Sequence, residues 1–140
     1  MYSNQFVLEL IKDAINDELS DNRFYSDLAK AVKDVDDKKT LEQMSLDEMK
    51  HYEMFMDILK KLTGEEYTPK NVEFKTLDSN IINNIERAIN GELAGVEAYR
   101  PILFSLENQQ FKNYLTEIIT DEQNHAARLI YMFSRNNWYS

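Results

Sequence analysis

The chain has 140 residues, the length of one domain, and can hide roughly 68–70% of its unfolded surface in a core. Hydrophobic residues make up 43% and charged residues 29%, with eight Tyr and seven Phe, which excludes a disordered segment. The formal net charge of −9 excludes nucleic-acid binding through a broad basic face, and the lack of Cys excludes a disulfide framework or a thiolate metal site.

Three Gly and two Pro are too few turn formers for a sandwich, a barrel or an α/β fold, and they point to an all-α chain of a few long helices. The opening MYSNQFVLELIKDAIND carries acids and no uninterrupted apolar run, so no signal peptide is expected. No stretch reaches the roughly 20 apolar residues of a membrane span, and the expected location is cytoplasmic. Apolar periodicity predicts a first helix from about Asn4 to Val32, with Val7, Ile11, Ala14, Glu18, Tyr25, Leu28 and Val32 on one seam. After a polar break, Asp34 to Asp37, a second helix is expected from about Lys38 to Leu62. Its seam reads Leu41, Met44, Glu48, His51, Phe55, Ile58, Leu62.

The connection from Thr63 to Leu77 holds the helix stoppers Gly64 and Pro69. At about 3.3 Å per residue it spans roughly 50 Å when extended, more than the roughly 40 Å of a helix of about 27 residues. It can therefore cross the length of a bundle and start the next helix at the opposite end. A third helix is expected from about Asp78 to Leu106 (Ile81, Ile85, Ala88, Glu92, Tyr99, Ile102, Leu106), and a fourth from about Gln109 to Arg135 (Phe111, Leu115, Ile118, Glu122, His125, Leu129, Met132). The short breaks make each pair antiparallel neighbours. One domain over residues 1–140 results, with hairpins at about 4–62 and 78–135 and a crossover at 63–77.

The two hairpins repeat. Shifted by 74 residues, Ile11 falls on Ile85, Ala14-Ile15-Asn16 on Ala88-Ile89-Asn90, Glu18-Leu19 on Glu92-Leu93 and Tyr25 on Tyr99. Lys38 falls on Lys112, Leu41 on Leu115, Asp47-Glu48 on Asp121-Glu122, and His51 on His125. The only two His of the chain fall on each other.

Each seam is apolar except near its middle, where Glu18, Glu48, His51, Glu92, Glu122 and His125 interrupt it. Desolvating even one ionised carboxylate costs several kcal/mol. Two divalent cations would neutralise four Glu. Oxygen and imidazole donors without thiolate suit iron or manganese, with zinc and cobalt able to compete. One Glu from each of two helices plus a Glu-x-x-His from each of the other two is the ligand set of carboxylate-bridged di-metal bundles. Tyr25 and Tyr99, each seven residues after a seam Glu, are expected to hydrogen-bond a ligating Glu; the alternative is plain core packing. Asp47 and Asp121 are expected to accept the free N–H of a ligating His, the alternative being a solvated acid at a helix edge. Glu53, Glu65, Glu66, Glu97 and most Asp belong to the surface or a subunit interface, and the Met residues to packing. Trp138 and Tyr139 read as a tail that packs on the bundle or on a second subunit.

The pattern Glu18…Tyr25, Asp47-Glu48-x-x-His51, Gly91-Glu92…Tyr99, Asp121-Glu122-x-x-His125 resembles the ferritin-like superfamily, nearest to small rubrerythrin-like di-iron proteins without a rubredoxin domain. The resemblance covers essentially the whole chain. It implies a ferritin-like four-helix bundle and a non-haem centre of two Fe ions that reacts with hydrogen peroxide or dioxygen in oxidative-stress defence. Glu48 and Glu122 would bridge or cap the irons, Glu18 and Glu92 would be terminal ligands, and His51 and His125 would take one iron each. Two departures stand out. Gly95 occupies the position of an extra ligating Glu in the third helix of rubrerythrins, and without Cys any turnover needs an external electron donor. Pro101, two residues after Tyr99, is similar to a feature of rubrerythrin third helices and is expected to bend this one.

The sequence leaves three functions open: a di-iron peroxidase or oxidase, iron oxidation and storage or metal binding without turnover, and a di-manganese catalase-like centre. The chain ends shortly after the fourth helix, without the short fifth helix of classical ferritins, so a homodimer or other small homo-oligomer is expected rather than a cage. Neither nucleic acid nor a membrane is an expected partner.

Overall fold

The computed structural model describes residues 4–137, and the proposed tail residues Trp138 and Tyr139 lie outside them. Four helices make up the described chain: α1 Asn4–Ala31, α2 Val35–Thr63, α3 Ile81–Ser105 and α4 Gln109–Asn137. None is long and apolar enough to cross a membrane.

Two helix starts differ from the sequence expectation, each because of side-chain capping. The acids from Asp34 to Asp37 do not break the chain; they begin α2. Asp34 is its N-cap, accepting a hydrogen bond from the Asp37 backbone N–H at 2.9 Å, and Asp36 and Asp37 sit in the first turn, where the helix dipole favours negative charge. The α1–α2 link thus shrinks to Val32–Asp34. At α3 the shift is in the other direction. Asp78 donates its N–H to Asn84 Oδ1 and its carbonyl accepts from Asn84 Nδ2, both at 2.8 Å, while Asn80 caps the helix through Ile82 N–H. These local bonds compete with helical pairing, so α3 starts at Ile81 rather than Asp78. The helix runs through Pro101 and stops at Ser105.

Side-chain pairings fix the helix directions. Tyr25 bonds Glu92 and Tyr99 bonds Glu18, so α1 and α3 run antiparallel. His51 meets Asp121 and His125 meets Asp47, so α2 and α4 do too. α1 and α2 form a tight hairpin, which makes α2 parallel to α3. The connection between them must therefore travel the length of the bundle. It leaves α2 at Gly64, whose φ of 74° is the left-handed conformation that ends the helix, and its N–H bonds Lys60 O at 2.7 Å. It then lies along α1, held by Ser20 Oγ donating to Glu73 O at 3.0 Å, by Lys75–Asp21 at 2.7 Å and by Arg23 over the Phe74 ring. The result is the expected ferritin-like crossover, in an all-α bundle.

The core is divided. One apolar cluster is built on Ile11, Phe55, Ile58, Ile102, Leu115 and Ile118, the other on Phe24, Leu28, Leu41, Met44, Ile85 and Leu129. The buried charged residues Glu18, Glu48, His51, Glu92, Glu122 and His125 belong to neither cluster. Leu62, expected on the α2 seam, sits in the last turn of the helix and is 47% exposed. Asp37 is an exception to the surface Asp: it is buried and ion-paired with Arg135, joining the start of α2 to the end of α4.

Candidate metal centre

Each helix contributes to the charged layer. α1 brings Glu18, α2 Glu48 and His51, α3 Glu92, and α4 Glu122 and His125; each of these residues is at most 2% exposed. Their donor atoms form two overlapping groups, Glu18–Glu48–His51–Glu122 and Glu48–Glu92–Glu122–His125, with one donor atom from each residue within 4.8 Å of the others. Glu48 and Glu122 belong to both groups. His51 Nδ1 lies 3.2 Å from Glu122 Oε1 and 3.5 Å from both Glu18 Oε2 and Glu48 Oε1. His125 Nδ1 lies 3.1 Å from Glu48 Oε1 and 3.5 Å from Glu92 Oε1. The two rings stack at 6.3 Å between centroids.

The outer contacts orient these groups, and every one crosses between repeats. His51 Nε2 is 2.8 Å from Asp121 Oδ2, and His125 Nε2 is 2.8 Å from Asp47 Oδ2. An ionised carboxylate only accepts, so each Nε2 carries the proton and each Nδ1 turns toward the charged layer. Tyr25 Oη donates to Glu92 Oε1 at 2.5 Å and Tyr99 Oη to Glu18 Oε1 at 2.7 Å. The Tyr seven residues from a seam Glu thus serves the Glu of the opposite repeat. Sequence spacing places a side chain on its own helix face, whereas its partner is set by how the helices pack.

Electrostatics record the crowding. Burial raises the Glu48 carboxyl well above its ordinary 4.5, and the charges of Glu18, Glu122 and Glu92 raise it further. Glu122 is likewise pushed well up by burial and then by Glu18 and Glu92. Burial also pushes Glu92 up, but Glu122, His125 and Tyr25 outweigh it and hold this carboxyl below its ordinary value. Burial pulls both imidazoles down. Glu18 and Asp121 around His51, and Glu92 and Asp47 around His125, more than reverse this and bring both above 6.5. Burial, then the neighbouring carboxylates, keeps Tyr25 and Tyr99 protonated as donors.

Seven buried atoms of this layer have no hydrogen-bond partner: Glu18 Oε2, both Glu48 oxygens, His51 Nδ1, Glu92 Oε2, Glu122 Oε1 and His125 Nδ1. Buried polar atoms are rarely left so, and a cluster of them signals a missing ion. The donor set fits two divalent cations in number, charge and chemistry. At Gly95 a Cβ would come within 2.9 Å of Glu122 Oε2, so Glu122 holds the space that any larger residue there would need. Among the described residues no further His, Cys, Asp or Glu joins either group.

Other acids fall as the sequence indicated: Glu53, Glu65, Glu66 and Glu97 are exposed. Asp21 was missed. Burial and the nearby Glu18 and Glu92 raise it to about 7 against the opposing pull of Lys75, and its position three residues after Glu18, on the same helix face, was the available signal.

Fold and charged layer together define a ferritin-like bundle with a carboxylate–imidazole site. The Rubrerythrin family model matches residues 9–82 and 83–139, and the chain belongs to that family. It is 28% identical over 121 residues to the uncharacterized protein YhjR of Bacillus subtilis (strain 168), covering 86% of this chain and 82% of that one. Among solved structures, Rhodobacter capsulatus bacterioferritin, described with a metal-free dinuclear site and haem iron, matches with a TM-score of 0.81 and 18% identity, over 100% of this chain and 91% of its own. Desulfovibrio desulfuricans bacterioferritin, described with its di-iron site in different catalytic states, matches with a TM-score of 0.76 and 24% identity, over 93% and 79%.

Proposed function

We propose that Glu18, Glu48, His51, Glu92, Glu122 and His125 hold two iron ions, and that the protein is a cytoplasmic oxidoreductase that consumes hydrogen peroxide or dioxygen. The observation that carries this reading is the set of seven unpartnered buried donor atoms converging from all four helices. Glu48 and Glu122, common to both donor groups, are the candidates to contact both ions; Glu18 with His51 and Glu92 with His125 would each serve one. When bound, the pair of irons supplies the electrons that reduce the oxidant. The chain's own part is positional. Tyr25 and Tyr99 each tie down one oxygen of a terminal Glu, leaving the other free to bind. Asp121 and Asp47 fix the imidazole tautomers with Nδ1 facing inward. The two apolar clusters exclude water from the layer.

Family membership supports the same centre. Manganese and zinc share this donor preference and are the competing occupants. With no Cys in the chain, electrons would come from an external donor. Exposed Leu46, Phe104 and Tyr131 support a small homo-oligomer, to be measured by light scattering. The reaction is tested by mixing iron-loaded protein with peroxide or dioxygen. Rapid oxidation of the iron, followed by repeated turnover with an added reductant, is expected. Iron-loaded protein inert to both oxidants would overturn the proposal, and oxidation without turnover would favour iron storage.

A further inference from the structure

The 74-residue repeat makes the seam between α2 and α4 nearly two-fold symmetric, with Asp47–His125 at one end and Asp121–His51 at the other. The outer surfaces of these two ends differ. Beside His51, Lys50 reaches Glu117 at 3.1 Å and Asp121 at 3.3 Å, an ion-pair cluster across the α2–α4 seam. Tyr114 adds a bond to Asp57 on the same side. At the equivalent positions beside His125 the residues are Asn124 for Lys50, Gln43 for Glu117 and Thr40 for Tyr114. None of these can form the ion pairs. A cavity of about 320 Å³ lies there, reaching inward to Asp47 and His125.

The chemistry of this cavity is that of an anion site. Lys39 and Arg128 stand on its wall, both exposed, and neither has an ion-pair or hydrogen-bond partner among the described residues. Thr40 and Asn124 add a hydroxyl and an amide. Its one acid, Asp47, is already engaged: Oδ2 meets His125 Nε2 at 2.8 Å and Oδ1 accepts from Gln43 Nε2 at 2.9 Å. The lining is therefore net positive, whereas the opposite end, with Glu117 and Asp121 against Lys50, is net negative. At about 30 Å³ per water the space equals about ten waters, room for a small organic anion or a hydrated oxyanion.

We propose that this groove binds a small doubly charged oxyanion, a dicarboxylate or a phosphate, between Lys39 and Arg128. Arg128 supplies the planar fork suited to either group and Lys39 a second point charge. The bound anion lies against Asp47, one hydrogen bond from His125, at only one of the two candidate metal positions. The site does not depend on the metal reading. The test titrates succinate and, separately, inorganic phosphate into the metal-free full-length chain at constant ionic strength, followed by amide NMR shifts. Saturable shifts around Lys39, Gln43, Asn124 and Arg128 are expected with one or both probes, and the probe that saturates assigns the class. Arg128→Gln should weaken binding about tenfold or more, the loss of a charged hydrogen bond. Lys50→Ala, at the opposite end, should leave it unchanged. Lack of saturation with either probe, or binding that survives Arg128→Gln intact, would overturn the proposal.

Discussion

At the scale of single residues, four of the six donors, Glu18, His51, Glu92 and His125, have a second contact that orients them. Asp47 and Asp121 hold the imidazoles by Nε2. An Asn there presents an amide in place of a charged acceptor, so Asp47→Asn and Asp121→Asn should each weaken metal binding by about 10–100-fold, measured by competition with a chelator. Unchanged affinity would return both residues to the status of solvated edge acids. The tyrosines predict a different signature. Tyr25→Phe strips Glu92 Oε1 of its donor and Tyr99→Phe strips Glu18 Oε1. Each should destabilise the metal-free chain by about 1–3 kcal/mol in denaturant unfolding. A neutral effect would mean that the rings serve packing alone. The six candidate donors could be read from sequence because charge on an apolar seam is costly and recurs at one fixed offset. Which residue bonds which could not, since Glu18 and Tyr25 share a helix face whichever partner the bundle supplies.

Among the elements, the errors of sequence reading fall at helix ends. A run of acids from Asp34 to Asp37 looks like a polar break, yet acids are also what a helix start recruits. Asp34→Ala should cost about 1 kcal/mol in denaturant unfolding by removing the cap on Asp37 N–H; no cost would place the start of α2 elsewhere. At α3 the polar run Asp78 to Asn80 reads as helix, but its side chains bond locally instead. Apolar periodicity stops informing where a helix leaves the core, so it missed both shifts and overextended the buried seam to Leu62. The crossover was legible for a different reason: its length is a geometric limit, independent of side-chain detail.

The whole molecule carries a net charge of −9, and part of that acidity lies in the centre of the bundle. Glu48 and Glu122 keep protons in the folded chain above 4.5, where unfolded Glu has lost them, and His51 and His125 keep theirs above 6.5. The folded state then binds more protons than the unfolded one, so stability falls as pH rises. Glu92, held below its ordinary value, contributes oppositely: its stabilisation is present above 4.5 and lost as pH falls through its lowered value. Asp21, raised to about 7, adds to the four, and Glu92 titrates below this range, so the metal-free protein should melt at a lower temperature at about pH 8 than at about pH 6. Metal needs the same groups deprotonated, so its affinity and the stability it adds should rise with pH over that range. Melting curves at the two pH values, with and without metal, check both signs.

The most direct measurement of the central claim is calorimetric titration of the metal-free protein with ferrous iron under anaerobic conditions, in buffers of different ionisation enthalpy. Two ions bound per chain with net release of protons, and loss of binding in Glu48→Ala and His125→Ala, are the expected results. A chain that takes up no iron, or whose uptake survives both substitutions, would contradict a two-metal centre built from these six residues.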